Sequence, residues 1–199
     1  MKKIIIVVLI LILAMLCLTS CEQSIDYSQL NQMATKTYSQ ITMDITVQKG
    51  DDVKLQSKII CISEDETSRE IAFNIQEFAT IDVDGDTITL PSQQIVTKSG
   101  NITFANGQVS VWDGDKVNYD FSNIGNKLGM LFSEHTLANA KVEDGMFKAD
   151  VVNAFLFFGR DIAGAKSICV KVDIETYKCI TVAYVASNGS NVKIVYTLG

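Results

Sequence analysis

Proline is nearly missing from this 199-residue chain, with Pro91 alone, and histidine is as scarce, with only His135. A single imidazole excludes a zinc site built on paired histidines, and Glu134 beside it points elsewhere on a helix. His135 reads instead as a helix-end residue near the negative end of the dipole. No Gly-x-Ser-x-Gly elbow, His-Glu-x-x-His pair or Gly-rich phosphate loop occurs, so hydrolytic and nucleotide chemistry have no motif to rest on. The expectation is a protein that is not an enzyme and takes no cofactor or metal. Positive charge is short as well: 17 Lys and Arg face 23 Asp and Glu, without a basic block, which excludes nucleic acid as a partner.

Apolar residues, by contrast, crowd the start of the chain. Behind Lys2 and Lys3 lies the run from Ile4 to Leu16, too short and too soon followed by polar residues for a spanning helix, and arranged as an export signal. It leads into Leu18-Thr19-Ser20-Cys21, where small residues fit a signal-peptidase cleft and the cysteine offers a thiol for a diacylglycerol thioether. Residues 1–20 are therefore expected to be a lipoprotein signal peptide, and Cys21 the lipidated first residue of the mature chain. Residues 21–23 make a short tether and 24–199 a single domain. Membrane association then comes through the lipid on Cys21, on the extracytoplasmic face of the cell membrane. Loss of Lys2 and Lys3 leaves 15 cations against 23 anions, a formal charge of −8, which disfavours flat adsorption on an anionic bilayer.

Cys17 leaves with the signal, so Cys61, Cys169 and Cys179 remain. An odd, sparse set excludes a disulfide-built scaffold. Cys169 and Cys179 share parity on strands joined by a short turn, which leaves both a diagonal bridge and three small buried hydrophobes open.

Ser24 or Asp26 can cap a helix carrying Tyr27, Leu30, Met33, Ala34 and Tyr38 on one side. From Ile41 the period changes to two. Ile41, Met43, Ile45 and Val47 alternate with polar residues, as do Val53, Leu55, Ile59 and Cys61 beyond the turn Lys49 to Asp52, and then Ile71, Phe73 and Ile75. Short strands are expected near Ile88 and Leu90, at 102–104, 108–112 and 117–121, and a hairpin about Glu143-Asp144-Gly145. Ser122 can cap a helix bearing Ile124, Leu128, Leu131, Phe132 and His135, and 152–158 reads as a second short helix. Three strands, 167–173, 179–186 and 192–198, close the chain. Asp82, Asp84 and Asp86 alternate as in a calcium loop, but Gln93 stands where the twelfth-position glutamate belongs, so a solvated turn is the better reading.

A lipidated Cys21, an N-terminal helix, the strands starting at Ile41, Val53 and Ile71, a helix around Leu128 and the Asp173 to Tyr177 turn resemble the LolA, LolB and LppX type of lipoprotein-carrier fold. Tyr177 departs from it, standing where such proteins often have glycine. The resemblance implies an α+β fold with a curved antiparallel half-barrel sheet, an N-terminal helix and a mid-chain helical insertion covering the concave face. It also implies an apolar cavity that receives acyl chains, for which Met43, Ile45, Leu55, Ile59, Phe73, Ile75, Leu128, Leu131 and Phe132 are the candidate ligand-binding residues. The same residues serve equally well as a filled core. Two functions follow: non-catalytic binding, carriage or presentation of a lipid or other apolar ligand, or an anchored module that binds another envelope protein.

Overall fold

The computed structural model describes residues 25–63, 65, 67–79, 81–83, 86–88, 94–160, 162 and 164–199. The signal segment, Cys21, Ser24, Asp84, Leu90, Pro91 and Gln93 lie outside the described residues. Helix α1 (Tyr27–Thr35) starts where the Asp26 carboxylate accepts the Ser28 N–H at 2.9 Å, and it buries Leu30, Met33 and Ala34, three and four residues apart.

The strands that follow are β1 (Gln40–Lys49), β2 (Asp52–Ser63), β3 (Arg69–Ala79), the small β4 (Ile81–Val83) and β5 (Asp86–Ile88), β6 (Gln94–Ala105) and β7 (Gln108–Gly114). After a long irregular stretch come β8 (Leu137–Glu143), β9 (Met146–Val151), the short helix α2 (Ala154–Phe158), β10 (Lys166–Asp173), β11 (Cys179–Val185) and β12 (Asn191–Leu198). Ten strands form one open antiparallel sheet in the order β7-β6-β3-β2-β1-β12-β11-β10-β9-β8, and β4 and β5 pair separately, with Val83 opposite Asp86. The first and last strands of the main run meet at its centre, where Met43 faces Tyr196 on one side and Ile59 on the other.

Because side chains alternate faces, the registers stack one face into apolar rows. One row runs Phe73, Ile59, Met43, Tyr196, Ile180, Val172 and Phe147 from strand to strand, and all but Tyr196 are buried. Near the β7 edge this row passes Gly100 and Gly114, opposite each other, and the Phe73 ring fills the space that the missing side chain of Gly100 leaves.

Two expectations are overturned here. The mid-chain helical insertion is missing, and with it the helical cover and half-barrel: the two helices among the described residues are nine and five residues long, and the sheet is open. Residues 117–121 form no strand either. Ile124, Leu128, Leu131 and Phe132 do have helical spacing, but Gly125 and Gly129 interrupt it, each costing about 1 kcal/mol of helix propensity relative to Ala, and Gly129 sits at a left-handed φ of +66°.

The backbone of this stretch finds partners elsewhere. Gly129 donates to Ala34 O (3.3 Å) and Leu131 to Phe157 O (2.9 Å), Asn126 O accepts from Tyr38, and Asn31 bonds both the N–H and the C=O of Phe132. Phe121, Met130 and Phe132 are still buried against the sheet, so the segment packs as irregular chain. His135 consequently lies exposed in a turn, not at a helix end.

Cys169 and Cys179 do share a face, but the register sets Cys169 opposite Ala183 and Cys179 opposite Thr197. They sit four rungs apart along the β10–β11 hairpin, about 13 Å, beyond the roughly 7 Å a disulfide spans. Both thiols are free, as is buried Cys61, whose burial pushes its thiol up. In the β10–β11 turn, the Asp173 carboxylate accepts from Glu175 N–H (3.0 Å), Thr176 N–H (3.2 Å) and the Thr176 hydroxyl (2.7 Å), and Tyr177 takes a left-handed φ of +54°. This is the conformation a glycine would adopt freely. The Tyr177 hydroxyl donates to Gln29 Oε1 at 2.7 Å, which ties the turn to α1.

These turns carry an acid dependence. Hydrogen bonds from Thr176 hold Asp173 below its ordinary range, bonds from Ser28, Thr67 and Ser122 do the same for Asp26, Asp65 and Asp120, and Lys141 and Lys148 pull Glu143 down to about 2. Because the folded values are depressed, the stabilisation is present above about pH 4.5 and is lost as pH falls toward 2. Melting temperature should be flat near neutrality and fall through that window, less steeply in Glu143→Gln. An equal acid slope in that variant would remove Glu143 from the account. Asp26, Asp65, Asp120 and Glu143 are exposed and Asp173 is half-buried, so added salt should shrink the effect.

Candidate functional site

A cleft of about 330 Å³ lies between the centre of the sheet and the irregular chain above it. Its sheet side is Ile41, Met43 and Ile45 of β1 with Ile194 and Tyr196 of β12. Its cover is the stretch from Tyr119 to Met130, including Ile124 and Leu128, together with Phe158, Gly159 and Arg160 at the end of α2. The sheet side is apolar because β1 and β12 turn their odd and even rows, respectively, to the same face.

Arg160 and Lys127 bring positive charge to the cleft. The Arg160 guanidinium acts on three phenols, Tyr119, Tyr184 and Tyr196, each raised by burial and each drawn part of the way back by Arg160. The Tyr196 phenol is pushed up to about 12. Asp120 also lines the cleft, yet it is engaged by the Ser122 N–H (2.9 Å) and the Asn123 amide (3.1 Å), and the bonds from Ser122, with a smaller pull from Arg160, hold its carboxyl low. The arrangement suits an apolar body with an acidic head. Among the described residues no group of three or more His, Cys, Asp or Glu side chains could hold a metal ion, and no helix is long and apolar enough to cross a membrane.

Of the nine candidate ligand-binding residues, the cleft brings together Met43, Ile45 and Leu128. Ile59, Phe73, Ile75 and Phe132 are buried in the core, Leu55 packs against its margin, and Leu131 is 46 % exposed on the outside. Phe73 belongs to an aromatic cluster with Trp112 (6.2 Å) and Phe121 (5.2 Å), and Tyr119 joins it through Phe121 at 4.9 Å. Ile194, Tyr196 and Arg160 were not among the candidates. The first two were accessible from strand parity with Val192 and Leu198, whereas nothing in the local sequence marks Arg160.

A wider groove of about 570 Å³ crosses Thr46, Gln48, Ala183 and Lys193 on the opposite face. It follows the polar rows of β1 and β12 and offers an apolar ligand little to hold. The chain matches no protein-family model and no curated protein. The class is thus set by architecture: an open, ten-stranded antiparallel sheet with an irregular cover over its centre.

Proposed function

We propose that this chain is a non-catalytic extracytoplasmic lipoprotein, anchored at Cys21, that holds a single-chain amphiphile with an acidic head in the cleft over β1 and β12. The observation that supports the reading is the 330 Å³ space itself, at the lower end of small-ligand sites, with Met43, Ile45 and Ile194 below and Arg160 at the cover. One acyl chain suits that volume better than a whole diacyl lipid. Delivery to or from the membrane, as in the carrier resemblance, would follow from the anchor.

A fluorescent fatty acid titrated into the protein tests this. Leu128→Trp, made in the half-buried cover where the backbone is not in a strand, should block the probe and leave stability within about 1 kcal/mol. Arg160→Gln should weaken the fatty acid about tenfold, a charge-assisted bond of about 1.4 kcal/mol, and leave the matching fatty alcohol unchanged. No binding of either probe by the parent protein would sink the proposal.

A further inference from the structure

Four large apolar side chains project from one small region: Leu131 (46 % exposed), Val152 (62 %), Phe155 (62 %) and Leu156 (47 %). Three fall within five residues of chain, and the stretch from Val152 to Phe158 has no charged residue. Leu131 joins them through its N–H bond to Phe157 O at 2.9 Å. Phe157 itself is fully buried and Phe158 packs half-buried beside it at 4.8 Å, so α2 is held to the core by these two rings while Phe155 and Leu156 are turned outward. Contiguous exposed apolar surface of this kind marks a place of contact.

Its location says with what. From Tyr27, at the start of α1, ring contacts step to Phe147 (6.4 Å), from there to Phe132 (6.1 Å) and on to Phe157 (5.2 Å). Asn31, one turn into α1, holds the Phe132 backbone at both its N–H and its C=O. The start of α1 is therefore joined through packed rings to the element that bears the apolar prominence. Five residues separate Cys21 from Tyr27, a reach of at most about 20 Å.

We propose that Leu131, Val152, Phe155 and Leu156 dip into the acyl boundary of the bilayer that carries the lipid on Cys21, so that the lipid supplies attachment and the prominence sets orientation. The inference rests on the lipoprotein reading. A domain with excess negative charge gains little from anionic headgroups, which leaves apolar insertion as its means of contact. Leu128 and Phe158 to Arg160, which line the cleft, adjoin Leu131 and Leu156 in the chain, so this orientation brings the cleft to the membrane side.

The test uses the full lipidated chain on zwitterionic phosphatidylcholine vesicles, with Trp112, the only tryptophan, replaced by Phe. Phe155→Trp reports the prominence, Leu156→Trp repeats it, and Val111→Trp, exposed on β7 at an edge of the sheet, is the control. Amphipathic insertion reaches about 5–10 Å into the headgroup and acyl boundary, so bromines on the upper acyl carbons should quench emission at 155 and 156 and leave 111 unaffected.

Labelled palmitate in the protein with no quenching at 155 and 156 would overturn the orientation and leave the anchor standing. Equal quenching at all three positions would overturn it as unspecific adsorption. A concentration-dependent blue shift without vesicles would assign the patch to a second copy of the chain. Absence of palmitate would overturn anchor and orientation together, and the label separates that failure from the others.

Discussion

Phe132→Ala should cost about 3–5 kcal/mol, the range for emptying a buried aromatic site, and lower the melting temperature by roughly 10 °C. Phe132 is 1 % exposed, meets Phe147 and Phe157 edge to face, and lies on the stretch that Asn31 clamps. Removing the ring opens a hole between α1, the β9 row and α2 that those clamps keep from collapsing. Leu131→Ala, one residue earlier, should stay within about 0.5 kcal/mol because that side chain faces outward. Urea unfolding followed by circular dichroism measures both. Equal losses at the two positions would contradict the packing of the irregular cover.

Gly114→Ala should be nearly as damaging, at about 2–4 kcal/mol, from a side chain of a single carbon. Gly114 holds a φ of +108°, and a Cβ there would come within 2.5 Å of Gly100 Cα and of Ser99 O, both backbone atoms with no rotamer to change. The β6–β7 pairing has to yield. Trp112, two residues away on β7, packs on Phe73 and Phe121 and donates its indole N–H to Asp115 O at 3.1 Å, so its emission should shift to the red as the edge strand loosens. An unchanged spectrum at wild-type stability would show that the glycine pair is replaceable.

The strands were legible because alternation and turn chemistry are local. Ile41 to Val47, the turn at Lys49 to Asp52, the Glu143 to Gly145 hairpin and the Asp173 to Tyr177 turn all carry their geometry within a few residues. The irregular cover was not, since its partners Ala34, Asn31 and Phe157 lie far away in sequence. Helical spacing alone gave Leu131 and Phe132 the same role, although one faces solvent and the other the core. Alternation likewise tells which face of a strand is apolar without telling where that face is filled. Ile59 and Phe73 are covered by packed side chains, while Met43 and Ile45, in the same alternation, border open space.

The cover has a thermodynamic consequence. From Asp115 to Thr136 the chain belongs to no ladder, and apart from the pair of bonds between Asn31 and Phe132 its bonds to α1, to Ser63 and to Phe157 are scattered. Such a segment opens at a lower free energy than the strands beneath it, so amide exchange should divide the molecule into a slow sheet and a faster hatch over its centre. Two stabilities then coexist in one chain, and the weaker one governs how fast anything enters or leaves the space above Met43.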